Sequence, residues 1–507
     1  MNTNKTLKIK RNIIAGIVNK IIMMLCPFII RTIIIWKLGI EYVGLSSLFT
    51  SILQILSLAE LGFGTAITYN MYEPLAKKDK DLVCALLAFY KKVYKIIGWI
   101  ILIIGMLILP FLKKFISGTY PSDINIYTLF FIYLINTVIS YFFFAYKQSL
   151  LLANQRNDIE SNIMTISYCF MYIFQIVSLL LFKNYYCYIV FLPICTVMIN
   201  LLRNEYVKKK YSQYKCYGTL NNDIKKEMKK RVFGLMLSRI CQVCRNSFDS
   251  IVISAALGLA TLGKYQNYYY IMNTIIGFLT IITTSIVAGI GNNIVTKTIE
   301  ENYKQFNIFM HGYNWLASWC TICLCCLYQP FIKIWVGEEN MFSMLLVVLM
   351  CIYFYSLKVG DIVAVYKEAA GMYWEDRKRP IVESVANLVL NFSLVYFIGV
   401  YGVVISTIIS IIFINIPWSA YVLFKNYFKK SIKPYIKSLL INFSILVIIT
   451  TITYGVCSLV HIGIFQEFVL KILICVILPN IMIFYVYKNN EYWRSFANII
   501  CTMIVKK

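Results

Sequence analysis

Long apolar runs constrain this chain more than any other feature of its sequence. Runs of 18 or more residues recur from one end of the 507 residues to the other, and each could cross a bilayer as an α-helix. Hydrophobic residues make up 60% of the chain and charged residues only 14%, whereas soluble domains average about 25% charged residues. The sequence therefore predicts an all-α integral membrane protein.

The apolar runs divide into fourteen candidate transmembrane helices. They cover approximately 12–36, 42–69, 82–111, 124–152, 160–182, 187–202, 232–256, 265–289, 307–331, 341–369, 378–397, 403–424, 438–460 and 468–487. A long polar connection separates two blocks of six helices, and a final pair follows. We therefore expect an N-terminal lobe (1–203), a basic cytoplasmic linker (204–231), a C-terminal lobe (232–425), and a helix pair with a cytoplasmic tail (426–507).

The basic residues are distributed unevenly between the two sides of the predicted helices. One side, which includes both termini and the linker, holds 32 of the 49 Lys and Arg residues, and the opposite turns hold six. Because positive charge accumulates in cytoplasmic loops, both termini are predicted to be cytoplasmic. The net charge of +26 then reflects this bias and attraction to anionic lipids. Nucleic acid is excluded as a partner, because no folded soluble face would carry the charge.

Two short segments indicate an internal duplication. "LGIEYVGL" (38–45) and "LGLATLGK" (257–264) share two glycines at an offset of 219 residues. Each segment falls at the outer turn that joins the first two helices of its block. An even number of helices per block makes the copies run in the same direction, as in transporters built from parallel repeats.

The second segment also contains most of a nucleotide-binding signature. A G-x-x-x-x-G-K pattern runs from Gly258 through Gly263, but Tyr265 stands where the signature needs Ser or Thr for Mg²⁺. An outer turn between membrane helices would also lack a preceding strand and access to ATP. We expect turn glycines instead, matched by Gly39 and Gly44 in the first copy.

Several predicted helices carry charged residues deep within the membrane. Each such residue costs roughly 2.5–3.5 kcal/mol on insertion scales and so requires an explanation. The cations are Arg31, Arg239, Arg245 and Lys358, and the acids are Glu60, Asp249 and Asp361. The excess of cations favours a water-filled, substrate-binding cavity whose acids orient the cations or carry a coupling proton or sodium ion. Paired charges that lock helices together are the alternative. Lys367, near a helix end, is expected to extend to the interface.

The cysteines and histidines do not predict a metal site or a catalytic site. Most of the sixteen cysteines lie in apolar runs such as "WCTICLCCL" (319–327), where they are expected to pack as small hydrophobic residues. His311 and His461 have no ligand partners at useful spacing. No cofactor is expected, and the protein is predicted to be a transporter and not an enzyme.

An ordered series of motifs resembles the Wzx-type oligosaccharide flippases of the multidrug/oligosaccharidyl-lipid/polysaccharide exporter superfamily. The series consists of "RTIIIWKLGIEYVGLSSLFTSILQILSLAELGFGTAI" (31–67), "YEPLAKKD" (72–79), "NSFDSIVISAALGLATLGKYQNYYYI" (246–271), "GIGNNI" (289–294), "PFIKIWVG" (330–337) and "AAGMYWEDRKRPIVESVANLVLNFSL" (369–394). The resemblance covers nearly all of residues 1–425.

The resemblance implies a flippase that moves a polyprenyl-diphosphate-linked sugar repeat unit to the outer leaflet of a bacterial cytoplasmic membrane. It further implies two six-helix lobes around a central cationic cavity, alternating access, and a role in capsule, O-antigen or exopolysaccharide synthesis. Polymerases and glycosyltransferases of the same pathway are candidate partners. Arg31, Glu60 and Asp249 match charged positions of the family pattern. Lys358 stands where the family pattern has Arg, and lysine lacks the bidentate fork of arginine for phosphate.

Two other functions are compatible with such a chain. A drug or organic-cation antiporter of the same fold would require a net acidic, aromatic cavity, which the excess of Arg and Lys disfavours. A membrane polysaccharide polymerase generally has a large extracytoplasmic loop, whereas the longest outer turn here, near 112–123, has about a dozen residues.

Overall fold

The computed structural model describes residues 2–60, 63–461 and 463–505. Side chains are described throughout these ranges except at 2–10, 13, 59–60, 63, 65–66, 222–242, 288, 500 and 503–505. Helices account for nearly all of the described chain, and no β-strand occurs in these ranges. The predicted all-α class is therefore confirmed.

Nineteen α-helices follow one another along the described residues. The first ten are α1 (Asn2–Lys37), α2 (Ile40–Leu56), α3 (Phe63–Ala76), α4 (Lys80–Ile108), α5 (Ile126–Phe142), α6 (Gln148–Ala153), α7 (Asn157–Phe182), α8 (Tyr185–Ile189), α9 (Phe191–Lys210) and α10 (Asn222–Thr296). The others are α11 (Ile299–Val336), α12 (Met344–Val359), α13 (Asp361–Ala369), α14 (Lys378–Ile398), α15 (Val400–Ser410), α16 (Ile416–Leu423), α17 (Lys433–Ser458), α18 (Ile464–Tyr487) and α19 (Glu491–Val505).

Eleven helical segments of the described chain are long and apolar enough to span a membrane, or twelve if the bent pair α5 and α6 forms one span. The predicted count of fourteen is not confirmed. The predicted helix 42–69 is interrupted after Leu56, which leaves α2 as a shorter apolar helix. The predicted helices 232–256 and 265–289 both lie within α10, where a kink with non-helical backbone at Gly258 separates two helices.

The described chain forms two compact units, Met1–Gly263 and Lys264–Lys507. We refer to them as the N-terminal and C-terminal units. In the N-terminal unit α1 packs along α7, and α5 lies against α4 and α9. In the C-terminal unit α11 contacts α12, α17, α18 and α19. The predicted boundaries at 203, 232 and 425 are not tested by this division and stay a prediction.

The duplicated segments adopt the same backbone conformation. Gly39 precedes α2 with φ 124° and ψ 167°, and Gly258 interrupts α10 with φ 86° and ψ 172°. Both φ values lie in the range that favours glycine, so these two are turn glycines as predicted. Gly44 and Gly263 are not, because each lies inside a helix.

Gly44 and Gly263 instead permit a close and reciprocal contact between the two copies. A Cβ atom on Gly44 would lie 2.1 Å from the carbonyl oxygen of Leu259, and one on Gly263 would lie 2.4 Å from that of Ile40. These partners are themselves separated by the repeat offset of 219 residues. The two copies therefore cross at their glycines in a pseudo-symmetric arrangement, which supports the duplication inferred from sequence.

Candidate functional site: a polar cavity in the N-terminal unit

The N-terminal unit contains a cavity of about 670 Å³ between α2, α5, α8, α9 and α10. Nine of its thirteen lining residues carry hydroxyl or amide groups, and none of these described residues is charged. The polar members are Ser46, Thr50, Gln54, Ser57, Tyr133, Asn136, Thr137, Tyr188 and Asn246. Because buried polar groups in a membrane protein mark functional or water-filled regions, this cavity is the leading candidate site.

Helical periodicity directs these side chains into the cavity. Ser46, Thr50 and Gln54 follow one another at intervals of four residues on α2, so they lie on one face of the helix. Tyr133 and Thr137 repeat this spacing on α5. This polar stripe was not predicted from the sequence, because single hydroxyl and amide residues in an apolar helix are a weaker signal than charged residues.

Hydrogen bonds hold several of the lining groups in place. The hydroxyl of Tyr133 donates to Oγ of Ser46 at 2.9 Å and lies 3.0 Å from the hydroxyl of Tyr185. Thr196 donates to Oδ1 of Asn136 at 2.7 Å, which fixes the orientation of that amide. Preorganised polar groups of this kind can bind a polar ligand without first being ordered.

Two of the predicted charged residues of α10, Arg245 and Asp249, lie within one helical turn of the lining residue Asn246. Asn246 lines the cavity, as the predicted polar face of this helix requires. Arg245 and Asp249 are 8% and 2% exposed, respectively, and share an adjacent face because they are separated by four residues. Arg31 on α1 is half-buried and interacts electrostatically with Tyr188, which lines the cavity. A buried arginine, Arg245, and a half-buried one, Arg31, thus accompany an uncharged lining.

Two predicted site residues fall outside the described side chains. Arg239 lies in the segment 222–242, and Glu60 lies at the end of the short helical turn Ser57–Glu60. Their proposed roles stay predictions.

The remaining two predicted site residues form an ion pair in the C-terminal unit. Lys358 lies in the last turn of α12 and is 4% exposed, and its Nζ lies 2.7 Å from Oδ2 of Asp361 at the start of α13. The hydroxyl of Tyr313 on α11 donates to the same carboxylate oxygen at 2.5 Å. Lys358 is therefore neutralised where it lies, and its predicted role in diphosphate binding stays untested.

Lys367 does not extend to the interface as predicted. It is 6% exposed, and its Nζ lies 2.7 Å from Asp376 and 2.9 Å from the hydroxyl of Ser419. Arg379 also binds Asp376 and continues the network to Glu383, at 2.9 and 2.7 Å. Asp376, in the segment between α13 and α14, supplies the carboxylate that pairs with Lys367. This pairing offsets the free-energy cost of burying the charge of the lysine.

A second buried network holds α7 against α9 in the N-terminal unit. Arg203 forms an ion pair with Glu160 and donates to Oδ1 of Asn200 at 2.6 Å. At the start of α7, Arg11 and Arg156 both contact the carboxylate of Asp158, at 2.6 and 3.0 Å. Hydrogen bonding to Asp158 raises the pKa of Arg156 above its ordinary value. These charges stabilise helix packing and lie outside the lining of the cavity.

Comparison with known proteins agrees with this architecture. The chain matches the family described as "polysaccharide biosynthesis protein" over residues 9–287. No curated protein sequence matches it significantly.

Three solved structures illustrate the likeness of fold. The lipid II flippase MurJ, in an inward closed conformation, is 15% identical with a TM-score of 0.67, and the alignment covers 94% of this chain and 99% of that one. An inward-facing multidrug resistance MATE family transporter of the MOP superfamily is 15% identical with a TM-score of 0.61, covering 80% and 97%. A MOP superfamily transporter from Pyrococcus furiosus is 13% identical with a TM-score of 0.55, covering 84% and 96%.

At these identities the structural likeness concerns the fold alone, whereas the family match extends over more than half of the sequence. Both agree with the resemblance inferred from the motifs. The chain is a multi-pass membrane protein with the fold of MOP-superfamily transporters and flippases, and it belongs to the polysaccharide biosynthesis protein family.

Proposed function

We propose that this protein is a flippase that moves polyprenyl-diphosphate-linked oligosaccharide repeat units from the cytoplasmic to the outer leaflet by alternating access. The observation that carries the proposal is the cavity of about 670 Å³ lined by hydroxyl and amide side chains. A bacterial cytoplasmic membrane, cytoplasmic termini, and a capsule, O-antigen or exopolysaccharide pathway belong to the same proposal.

The lining chemistry supports a sugar as the cargo of the cavity. Sugar hydroxyls both donate and accept hydrogen bonds, as do the Ser, Thr, Asn, Gln and Tyr side chains present here. An organic cation would instead favour carboxylates in the lining. Only Leu53, Ile189, Leu192 and Val243 are aliphatic among the lining residues, and none of the described lining residues is acidic.

The buried arginines beside the cavity support recognition of the diphosphate. A guanidinium binds phosphate oxygens through two parallel, charge-assisted hydrogen bonds. Arg245 precedes the lining residue Asn246, and Arg31 lies near Tyr188. We assign the diphosphate to these two arginines, with Arg239 and Lys358 as further contacts along the path. Asp249, Asp361 and Glu60 would orient the cations, and one of them would carry a coupling proton or sodium ion.

An apolar groove in the C-terminal unit is suited to the polyprenyl chain. It measures about 310 Å³ and lies between α11, α12 and α17, and its walls include Met344, Val348, Phe443, Leu446 and Val447. Isoprenyl groups would gain van der Waals contacts with these side chains.

Replacing cavity amides tests the proposal. In Asn136→Leu and Asn246→Leu, apolar side chains would leave sugar hydroxyls unpaired, so surface polysaccharide should fall on the order of tenfold. Lipid-linked repeat units should accumulate on the inner leaflet, as in a deletion strain. Ser393→Leu, an exposed hydroxyl position on α14 away from the cavity, is the matched control and should leave both quantities unchanged. Normal polysaccharide in both amide variants, at normal protein levels, would contradict the proposal.

A further inference from the structure

Three cysteines that are far apart in sequence converge in the C-terminal unit. Cys326 lies on α11, Cys457 on α17 and Cys475 on α18, and these three helices pack against one another. Their Sγ atoms all lie within 4.8 Å of each other. All three thiols are free and at most 3% exposed.

Proline residues shape the helices at two of these positions. Pro330 and Pro479 follow Cys326 and Cys475 by four residues, so neither proline can donate the usual helical hydrogen bond to the cysteine carbonyl. Trp319 takes over at Cys475 and donates to that carbonyl at 2.9 Å. Each helix therefore lacks one backbone hydrogen bond at its cysteine, and at Cys475 the indole of Trp319 replaces it.

A cavity reaches two of the three cysteines. It measures about 330 Å³, and Cys326 and Cys457 are among its lining residues. Lys471 and Glu467 form an ion pair in the lining of the same cavity. The thiolate is the form of cysteine that binds metals.

We propose that Cys326, Cys457 and Cys475 form a three-sulfur site for a thiophilic d¹⁰ cation, Zn(II) or Cu(I). Three convergent sulfur ligands suit these ions, whereas Mg²⁺ and Ca²⁺ require oxygen ligands. Each cysteine that binds releases its proton to water, and no oxidation or reduction occurs. Bound metal would cross-link α17 and α18 to α11. This site is independent of the proposed sugar cavity, which lies in the other unit.

Metal titration of the full-length, detergent-solubilised protein tests the site. After reduction with a phosphine, the protein is dialysed against buffered Zn(II) or Cu(I) in separate arms, and bound metal is measured by elemental analysis. We expect one ion per chain in at least one arm. Cys326→Ser, Cys457→Ser and Cys475→Ser should each weaken binding by more than about tenfold, whereas Cys323→Ser, one turn from Cys326 on the same helix, should bind like wild type.

A spectroscopic measurement on the wild-type protein does not depend on how well the variants fold. Co(II), used as a substitute for Zn(II), should give a saturable thiolate-to-metal charge-transfer band that reaches its plateau at one equivalent. Three results would overturn the proposal. These are no saturable binding of either metal with no Co(II) band, an equal loss of binding in Cys323→Ser, or a disulfide between two of the three cysteines in the isolated protein.

Discussion

The cavity of the N-terminal unit and the Lys358–Asp361 pair of the C-terminal unit accommodate polar groups in different ways. Both place polar groups inside an apolar chain. In the cavity, hydroxyls and amides on several helices face a shared space of about 670 Å³. In the pair, a buried ammonium and a carboxylate at the junction of α12 and α13 satisfy each other at 2.7 Å. Polar groups that face open space can bind a ligand, whereas groups that pair mainly stabilise the fold.

The two units also differ in the side chains that line their cavities. The N-terminal cavity is lined mainly by residues with hydroxyl and amide groups, while the C-terminal unit contains an apolar groove and a cavity lined in part by Cys326 and Cys457. Gly39 and Gly258 share a positive-φ backbone conformation, and Gly44 and Gly263 permit reciprocal contacts between the duplicated segments. The linings of the two units nevertheless differ, so functional residues cannot be transferred from one copy to the other by the repeat offset alone.

The largest expected effect comes from breaking the ion pair. In Lys358→Leu the Asp361 carboxylate loses its cationic partner and keeps the hydrogen bond from Tyr313. Removal of one member of a buried ion pair lowers the free energy of unfolding by about 3–5 kcal/mol. Thermal unfolding of the purified protein should show this loss. The double variant Lys358→Leu/Asp361→Leu should regain most of the stability, because no charge is left uncompensated.

Transport by that double variant decides the role of Lys358. Normal flipping at normal stability would remove Lys358 and Asp361 from the diphosphate path. Loss of flipping despite restored stability would place Lys358 and Asp361 on the diphosphate path. The pair would then bind substrate as well as stabilise the fold.

The next largest effect is expected at Arg245. Arg245→Ala removes a buried guanidinium beside the cavity, and loss of its charge-assisted hydrogen bonds, at about 1.5–3 kcal/mol each, should reduce surface polysaccharide by about 100-fold. Membrane levels of the protein should be maintained. Arg245→Lys should restore part of the activity, since it keeps the charge but not the bidentate geometry. We expect the same loss for Arg239→Ala.

Arg203 provides the matched control for Arg245. It is also a buried arginine of the N-terminal unit, but it pairs with Glu160 away from the cavity lining. Arg203→Ala should lower the amount of folded protein while leaving transport per molecule unchanged. Unchanged surface polysaccharide in both Arg245→Ala and Arg239→Ala would contradict the proposal that these arginines bind the diphosphate.

A smaller effect is expected at the glycine crossing. Gly44→Ala would place Cβ 2.1 Å from the carbonyl oxygen of Leu259, and such overpacking costs about 1–3 kcal/mol. Gly263→Ala should cost a similar amount, because its contact with Ile40 is the counterpart of the first. The stability of both variants is measured by thermal unfolding. Gly16→Ala on α1 is the control, because Gly16 has open space around it. A large effect in only one of the two would contradict the pseudo-symmetric contact.

The smallest effect is expected at a single hydroxyl of the cavity. Tyr133→Phe removes the donor to Ser46 and the contact with Tyr185. Loss of these hydrogen bonds should cost about 0.5–1.5 kcal/mol, seen as a fewfold decrease in the rate of flipping with little change in protein level. An effect as large as that of Arg245→Ala would mean that the hydroxyl contacts the substrate directly.

Much of the fold could be predicted from local sequence patterns. Apolar runs locate the helices, because a membrane span requires continuous apolar length. The helix count does not follow from hydropathy, because α2 ends at Leu56 and two helices meet at a kink at Gly258 within α10, and neither event changes the hydropathy of the run. The family was predictable because its motifs are ordered along one chain. The positions of Arg239 and Glu60 in the site are still predictions from sequence.

The sequence by itself determined the membrane class, the helical segments, the duplication, the family resemblance and the candidate charged residues, because each depends on composition or short-range spacing. Only the tertiary structure decided which of these residues meet. It paired Lys358 with Asp361, returned Asp376 to Lys367, gathered uncharged groups into a cavity, and brought Cys326, Cys457 and Cys475 together from three helices. Contacts between distant segments depend on how helices pack, and a single sequence does not record that packing in its periodicity.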